Sequence, residues 1–318
     1  MATRLMMTTT ALLWSAWVVG GLEVAAGSRL VFARDELLVS AARLHAELSD
    51  CVVIDMISAD DFAADPACVP GSRRCWRDDC ERTRDGVSGL LPLRRDFQAL
   101  ARSLGVSKGT DKVVIVDRCY DATRLWWLFL VFGTSVRVLD GGFAAWREGG
   151  FPVASQHSPR VVVGAESTYE ARHADERLIA TARDVDDLSA AERPNLWDVR
   201  SKEEYDGAIC VAGAARPGRI PWTSGRLDHG VFRDPNFGAW RPNEEIRDIA
   251  AAALDDEGLF ETDVRHTFYC QSAVRTTQLI FGLALAGKAV EDLVNYDGSW
   301  IEWSATRPGT ATDVPPAP

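Results

Sequence analysis

The pattern Asp-Gly-x-aromatic occurs twice in matching surroundings, and this internal repeat constrains the fold more than any other feature of the chain. LDGGFAAW (139–146) and NYDGSWIEW (295–303) each place a tryptophan, Trp146 or Trp303, at the same offset from the aspartate. Similar runs precede both copies in the same order. In the first half, CVVIDMISADDF (51–62) holds a β-branched run ending in Asp55. The helical stretch RRDFQALARSLG (94–105), the strand KVVIVD (112–117), the helix TRLWWLFLVFG (123–133) and the strand VRVLDGG (136–142) follow. In the second half, NLWDVRSKEEY (195–205) holds a strand ending in Asp198. It leads to the helix PNEEIRDIAAAAL (242–254), the strand HTFYC (266–270) and the helix TTQLIFGLALAG (276–287). Asn243 is placed to cap its helix, and Glu244 and Glu245 suit that helix's positive end.

Short apolar strands alternating with amphipathic helices imply an α/β fold, because parallel neighbours need a crossover connection. Once per half, this gives two tandem domains, each a parallel sheet flanked by helices on both faces. The polar stretch SQHSPRVVVGAESTYEARHADE (155–176) has no period beyond RVVV and reads as the linker, which sets the domains at 27–154 and 177–318. A chain of 318 residues is long enough for two cores of ordinary size.

The net charge of -11 argues against nucleic acid as a partner, since phosphate binding needs a basic field. After residue 26 no run approaches the roughly 18 apolar residues of a membrane span. Residues 1–26 differ. Arg4 supplies a positive start, LMMTTTALLWSAWVV (5–19) is uncharged, and Val24 and Ala26 stand before a cut ahead of Gly27. This pattern implies a cleaved signal and an exported, periplasmic protein, with an uncleaved N-terminal anchor as the alternative. Export would allow disulfides among the seven cysteines. Cys68, Cys75 and Cys80 crowd into CVPGSRRCWRDDC at spacings that suit no zinc site. Cys51, Cys119 and Cys210 are further candidates, and a buried unpaired thiol fits any one of them as well. No metal or cofactor is implied.

Cys270 ends a strand and is followed at once by a helix, the position where open parallel sheets bind ligands. The backbone N–H groups of 271–275 and the positive end of the helix near Thr276 form a nest that favours thiolate over thiol. Small side chains at Ser272 and Ala273 let this loop wrap closely around a sulfur atom. Arg275 adds a permanent cation suited to an oxyanion. The chemistry that fits is nucleophilic attack by Cys270, with the transferred group cradled by Gln271, Ser272, Ala273 and Val274. His266, four residues upstream, is not needed as a base.

Five landmarks carry a family resemblance: LDGGFAAWREGGFPV (139–153), TRLWWLFLVFG, WDVRSKEEYDG (197–207), RPGRIPW (216–222) and YDGSWIEW (296–303). With them in this order, the chain resembles the tandem-domain rhodaneses, the thiosulfate and 3-mercaptopyruvate sulfurtransferases, from about residue 29 to residue 307. The resemblance implies a rhodanese domain in each half and catalysis only in the second. Cys270 would then carry a sulfane sulfur, as a persulfide, from a small donor such as thiosulfate to cyanide or a thiol. It also implies that Asp198 and Arg200 act at the substrate loop through an ion pair. Trp222, Trp300 and Trp303 either wall the pocket or pack the core. The loop from Cys270 to Arg275 is six residues, which resembles the sulfurtransferases; the related phosphatases carry one residue more. Its sequence departs from the glycine-rich run of mercaptopyruvate enzymes. Arg275 favours thiosulfate, and Ala273 stands where a glycine is common. RPGRIPW also lacks the Gly-Ala that usually follows its proline. An anion-binding module that holds a persulfide without turnover is the alternative, and a monomer is expected.

RCYDATRLWWL (118–128) imitates the catalytic loop, with Cys119 and Arg124 at the same spacing. The preceding strand, however, ends at Asp117, so Asp117 takes the place of Cys270. Cys270 lies 27 positions before Asp297, whereas Cys119 lies only 21 before Asp140. The resemblance agrees, because an acidic residue commonly stands at this point in the family's first domain and Arg124 opens its Arg-Leu-Trp-Trp helix. Cys119 is therefore expected to be a disulfide partner or a buried thiol, without catalytic work.

Overall fold

The structure, a computed structural model, describes residues 29–307 except Asp111, 165–167, 236–237, Asp255 and 257–258. It also describes the backbone of Trp17–Val19 (β1) and Leu22–Val24 (β2), which pair antiparallel. The rest of the expected signal, including the cut ahead of Gly27, lies outside the described residues. Among the described residues no helix is long and apolar enough to cross a membrane.

Among the described residues, two five-stranded parallel sheets form the body of the molecule, beside two antiparallel two-stranded ones. The first runs β3 (Leu38–Val39), β9 (Arg137–Leu139), β8 (Val113–Asp117), β4 (Val52–Met56), β5 (Arg73–Cys75). The second runs β10 (Ile179–Ala180), β14 (Leu293–Tyr296), β13 (His266–Tyr269), β11 (Leu196–Asp198), β12 (Gly225–Arg226). Every residue of β8 and β13 is buried, as strands covered on both faces must be, and this is why β8 reads as an apolar run up to Asp117. Asp55 pairs with Val116 and Asp198 with Tyr269. The two aspartates therefore hold the same register, and Asp117 and Cys270 follow as equivalent positions.

The sequence reading overlooked a hairpin, β6 (Arg82–Arg84) and β7 (Val87–Leu90). Its turn is Asp85-Gly86, with φ of 54° and 82°, the Asp-Gly signature of a tight hairpin. Asn243 also behaves differently from expectation. Pro242 occupies the N-cap and Asn243 is the first helical residue. Its side-chain oxygen instead accepts from Arg34 Nη1 at 2.7 Å, a bond between the two halves.

The helices Ala122–Val131 and Arg275–Leu285 each follow the central strand of their sheet and pack on one another. Trp126 meets Phe281 edge-on at 4.8 Å, and the hydroxyls of Thr123 and Thr277 lie 3.1 Å apart. Both helices are buried nearly all round, because each is enclosed by its own sheet and by the other helix. Truncating a side chain such as Trp126 to alanine would cost about 3–5 kcal/mol. The repeated aspartates complete the join by reaching across it. Asp140 Oδ1 accepts from the Trp240 N–H at 2.9 Å, and Asp297 Oδ2 accepts from the Leu91 N–H at 2.8 Å.

The described residues of 155–176 lie along the first domain. His157 Nε2 is 2.8 Å from Asp55 Oδ2, Arg102 Nε donates to Tyr169 O at 2.8 Å, and Arg172 N donates to Phe132 O at 3.1 Å. All seven cysteines are free. The expected disulfides are not formed: Cys68, Cys75 and Cys80 are buried thiols, while Cys119 and Cys210 are exposed. Cys119 is thus neither paired nor buried, since its loop turns it outward past the end of β8.

Candidate active site

Cys270 is the first residue beyond β13, and 1% of it is exposed. Its N–H donates to Ser299 Oγ at 3.2 Å, and its carbonyl accepts from Trp300 N at 3.0 Å. The helix starting at Arg275 closes the loop after Val274. Each residue between is held by a different neighbour. Gln271 Nε2 donates to Val211 O and Ala212 O at 3.4 and 3.2 Å. Ser272 lies so close to Gly89 that a Cβ there would stand 2.9 Å from its carbonyl oxygen. Gly89 has φ of +79°, so hairpin strand β7 meets the loop through a glycine. Val274 O accepts from Thr277 Oγ1 at 2.7 Å.

Ala273 adopts φ of 57°, the left-handed region that disfavours any residue with a Cβ by about 1–2 kcal/mol. This explains why a glycine would suit the position. The conformation is held from both ends. The Ala273 N–H donates to Ser299 Oγ at 3.1 Å, and its carbonyl accepts from Arg124 Nη1 and Asn295 Nδ2, both at 3.3 Å. Ser299 thus takes two loop amides, and one of them, the Ala273 N–H, belongs to the 271–275 set expected to face the substrate. Among the described residues, no protein acceptor takes the N–H groups of Gln271, Ser272, Val274, Arg275 or Thr276. These remain available to an anion or a polarisable sulfur bound at Cys270.

A cleft of about 350 Å³ opens over the thiol. Cys270, Gln271, Ser272, Val274 and Arg275 line it from the loop, with Glu204, Val211 and His229 from the same domain and Arg77 and Tyr120 from the first domain. Larger hollows, about 730 and 570 Å³, lie beside Thr181 and beside Lys108, and no cysteine lines either. Both cations of the cleft are paired on one side. Arg275 forms a two-pronged bond to Glu204 at 2.6 and 2.8 Å, and Arg77 Nε donates to Asp121 at 2.6 Å. Burial works against the Glu204 carboxylate, but its bonds to Arg275 prevail and hold it below the ordinary range. His229 stands edge-on to Tyr120 at 5.3 Å, and burial, with Arg275 nearby, lowers its pKa. At neutral pH it is an uncharged wall.

Of the residues expected from sequence, Cys270, Gln271, Ser272, Val274 and Arg275 meet at the cleft, and Ala273 lies beneath it. Asp198 and Arg200 do not line it. They form a buried pair at 2.6 Å, with Arg200 also donating to Gly218 O at 2.8 Å and lying over Trp300 at 4.8 Å. Trp303 packs against Trp222 at 5.1 Å inside the domain, and Trp300 is likewise core. His266 accepts from Trp197 Nε1 at 3.2 Å, and burial pushes its pKa down to about 4, which makes it a structural imidazole. Glu204, Arg77, Tyr120 and His229 were missed. Only Glu204 left a trace in the sequence, since a buried loop arginine requires a carboxylate and SKEEY supplies two.

A profile of the rhodanese-like domain matches residues 40–149 and 181–306. The chain belongs to the rhodanese family. A 3-mercaptopyruvate sulfurtransferase of Rattus norvegicus is 30% identical over 247 residues, 74% of this chain and 76% of that protein. A putative thiosulfate sulfurtransferase of Saccharopolyspora erythraea is 28% identical over 291 residues, 86% of this chain and 94% of its own length. Among solved structures, wild-type EanB aligns with a TM-score of 0.73 at 20% identity, over 88% of this chain and 69% of that one. YnjE aligns with a TM-score of 0.71 at 21% identity, over 87% and 68%. The curated relatives tie this rhodanese to sulfur transfer at the level of the family, and the structural likenesses establish the two-domain fold.

Proposed function

We propose that this rhodanese moves a sulfane sulfur from thiosulfate to cyanide or a thiol through a persulfide on Cys270. The Cys270 thiolate attacks the outer sulfur of thiosulfate, the S–S bond of the donor breaks, and sulfite leaves with the electron pair. Cyanide then attacks the terminal sulfur, leaving as thiocyanate and restoring the thiolate; a thiol acceptor leaves as a persulfide. The observation that carries this reading is the six-residue loop, Cys270 to Arg275, whose Gln271, Ser272, Val274 and Arg275 N–H groups have no protein acceptor among the described residues and lie beside a cleft of about 350 Å³. Two guanidinium groups, Arg77 and Arg275, border that cleft and favour a dianionic donor over a neutral one. 3-Mercaptopyruvate is the second-choice donor. The chain's opening residues support export to the periplasm, where it would act as a monomer on small molecules.

One observation favours a second reading, a persulfide-holding module without turnover. Arg275 donates both Nη groups to Glu204, so less of its charge is free for a donor anion. A single assay separates the two. The reduced protein is incubated with thiosulfate, its intact mass is measured, and cyanide is added. A gain of one sulfur atom that disappears as thiocyanate forms supports sulfur transfer. A stable adduct with no thiocyanate supports the holding module, and no adduct at all overturns both.

A further inference from the structure

We infer that Arg124, in the domain without the cysteine, is a positioning residue for the catalytic loop: it holds Ala273 in the left-handed conformation that shapes the nest around Cys270. This deepens the sulfur-transfer reading and rests on it. Arg124 is fully buried and stands in the first turn of the helix Ala122–Val131. Its guanidinium spans the domain join. Nη1 donates to Ala273 O at 3.3 Å, Nη2 to Gly89 O at 2.5 Å, and Nη2 lies 3.4 Å from Asp297 Oδ1. Nε faces Glu81 Oε1 at 3.3 Å. One side chain therefore links the hairpin that covers Ser272, the landmark aspartate of the second domain, and the carbonyl of the residue at φ 57°.

The reason a hold is needed lies in Ala273 itself. A residue with a Cβ leaves the left-handed region unless its surroundings over-determine it. Ser299 fixes the N–H and Asn295 contributes one neutral bond to the carbonyl. Arg124 supplies the only charged donor to that carbonyl among the described residues, and charge-assisted bonds are the stronger kind. If the carbonyl swings away, the peptide between Ala273 and Val274 turns with it, and the Val274 N–H, which has no protein acceptor among the described residues, changes direction. Arg124 touches neither the cleft nor the thiol, so its effect belongs to loop geometry and not to donor binding.

The test is a double-mutant cycle with two readouts. Arg124→Lys keeps the charge but loses the fork. Arg124→Met combined with Glu81→Gln removes the cation and its buried partner together, and serves if the first variant folds poorly. Each is made with Ala273 and with Ala273→Gly, where glycine needs no hold. Single-turnover persulfide loading from thiosulfate is expected to slow about tenfold in the alanine background, with the thiosulfate KM changed less than about twofold. In the glycine background the same change should cost less than about twofold. Alkylation of Cys270 by iodoacetamide, followed by peptide mass, should slow in the alanine background only, because a disordered nest stabilises the thiolate less. Equal losses in both backgrounds, or none in either, would overturn the inference. If the unaltered protein loads no sulfur, the sulfur-transfer reading fails, while the alkylation cycle still decides what Arg124 does.

Discussion

The loops 117–122 and 270–275 occupy one position in two copies of one fold, yet they are built to opposite ends. In the second domain Cys270 stands at the strand end under an open cleft, and Ser299, third residue of its Asp-Gly landmark, ties down the Cys270 and Ala273 amides. In the first domain Asp117 stands at the strand end, and its own carboxylate fills the loop, Oδ2 accepting from the Ala122 N–H at 2.8 Å. The third landmark residue there is Gly142, whose φ of +59° matches the 49° of Ser299. A Cβ on Gly142 would lie 2.5 Å from Asp117 O. The same backbone thus leaves loop amides without a protein acceptor in one copy and turns a carboxylate onto one of them in the other. The carboxylate plug at the first loop disfavours a second anion there, while the helix that follows carries Arg124, which donates to Ala273 O of the second loop.

The comparison is broken most completely at the two cysteines. Cys270→Ala should abolish sulfur loading by intact mass, whereas Cys119→Ala should leave it unchanged. Although Cys119 is exposed, partial desolvation by the surrounding loop, with Asp121 and Asp117 adding to it, pushes its thiol up to about 11, which disfavours the thiolate at neutral pH. Loading that survives loss of Cys270 would show the two loops to be equivalent after all. The next largest effect falls on the landmark serine. Ser299→Ala removes the acceptor of two loop amides, and single-turnover loading should slow about tenfold to a hundredfold. An unchanged rate would mean that the cradle does not depend on its tether.

Strand ends carried most of what could be read in the sequence. Cys270, Arg275 and the demotion of Cys119 follow from where apolar runs stop, because local chain geometry fixes where a loop begins. What stayed hidden depends on pairs far apart in the chain. Arg124 and Ala273 are separated by 149 positions and Arg275 and Glu204 by 71, and no period or spacing links such partners. Arg200 and Asp198 misled for the opposite reason. Their adjacency was legible, but which face of the loop they support depends on Trp300 and Gly218, which only the folded chain brings near. The Asp-Gly repeat was legible as a landmark, while its third position, Gly142 against Ser299, carries the structural difference between the two loops.

Gly142→Ser would make the first landmark resemble the second. The new Cβ meets backbone of Asp117, which cannot move aside as a flexible side chain would, and the positive φ adds strain. Overpacking of this kind costs about 1–3 kcal/mol. A fall in the midpoint of denaturant unfolding should report it, with sulfur loading at Cys270 retained. An unchanged midpoint would show that the first loop has slack and that its plug is not required for folding.

The smallest expected effect concerns the plug's charge. Burial raises the pKa of Asp117 above its ordinary carboxylate value, with Asp121 and Asp55 adding to it against the pull of Arg233 and the Ala122 N–H. Between the ordinary value and the raised one, the unfolded chain has already released this proton while the folded chain retains it. Folded protein then binds more protons, so this group lowers stability as pH climbs through that window, and below the window it contributes nothing. Asp117→Asn keeps an oxygen for the Ala122 N–H and removes the titration. Its unfolding free energy, relative to the unaltered protein, should therefore rise with pH across the window and level off above it. A difference that stays constant with pH would mean that the Asp117 carboxylate ionises at the same pH folded and unfolded, and that the plug works by shape alone.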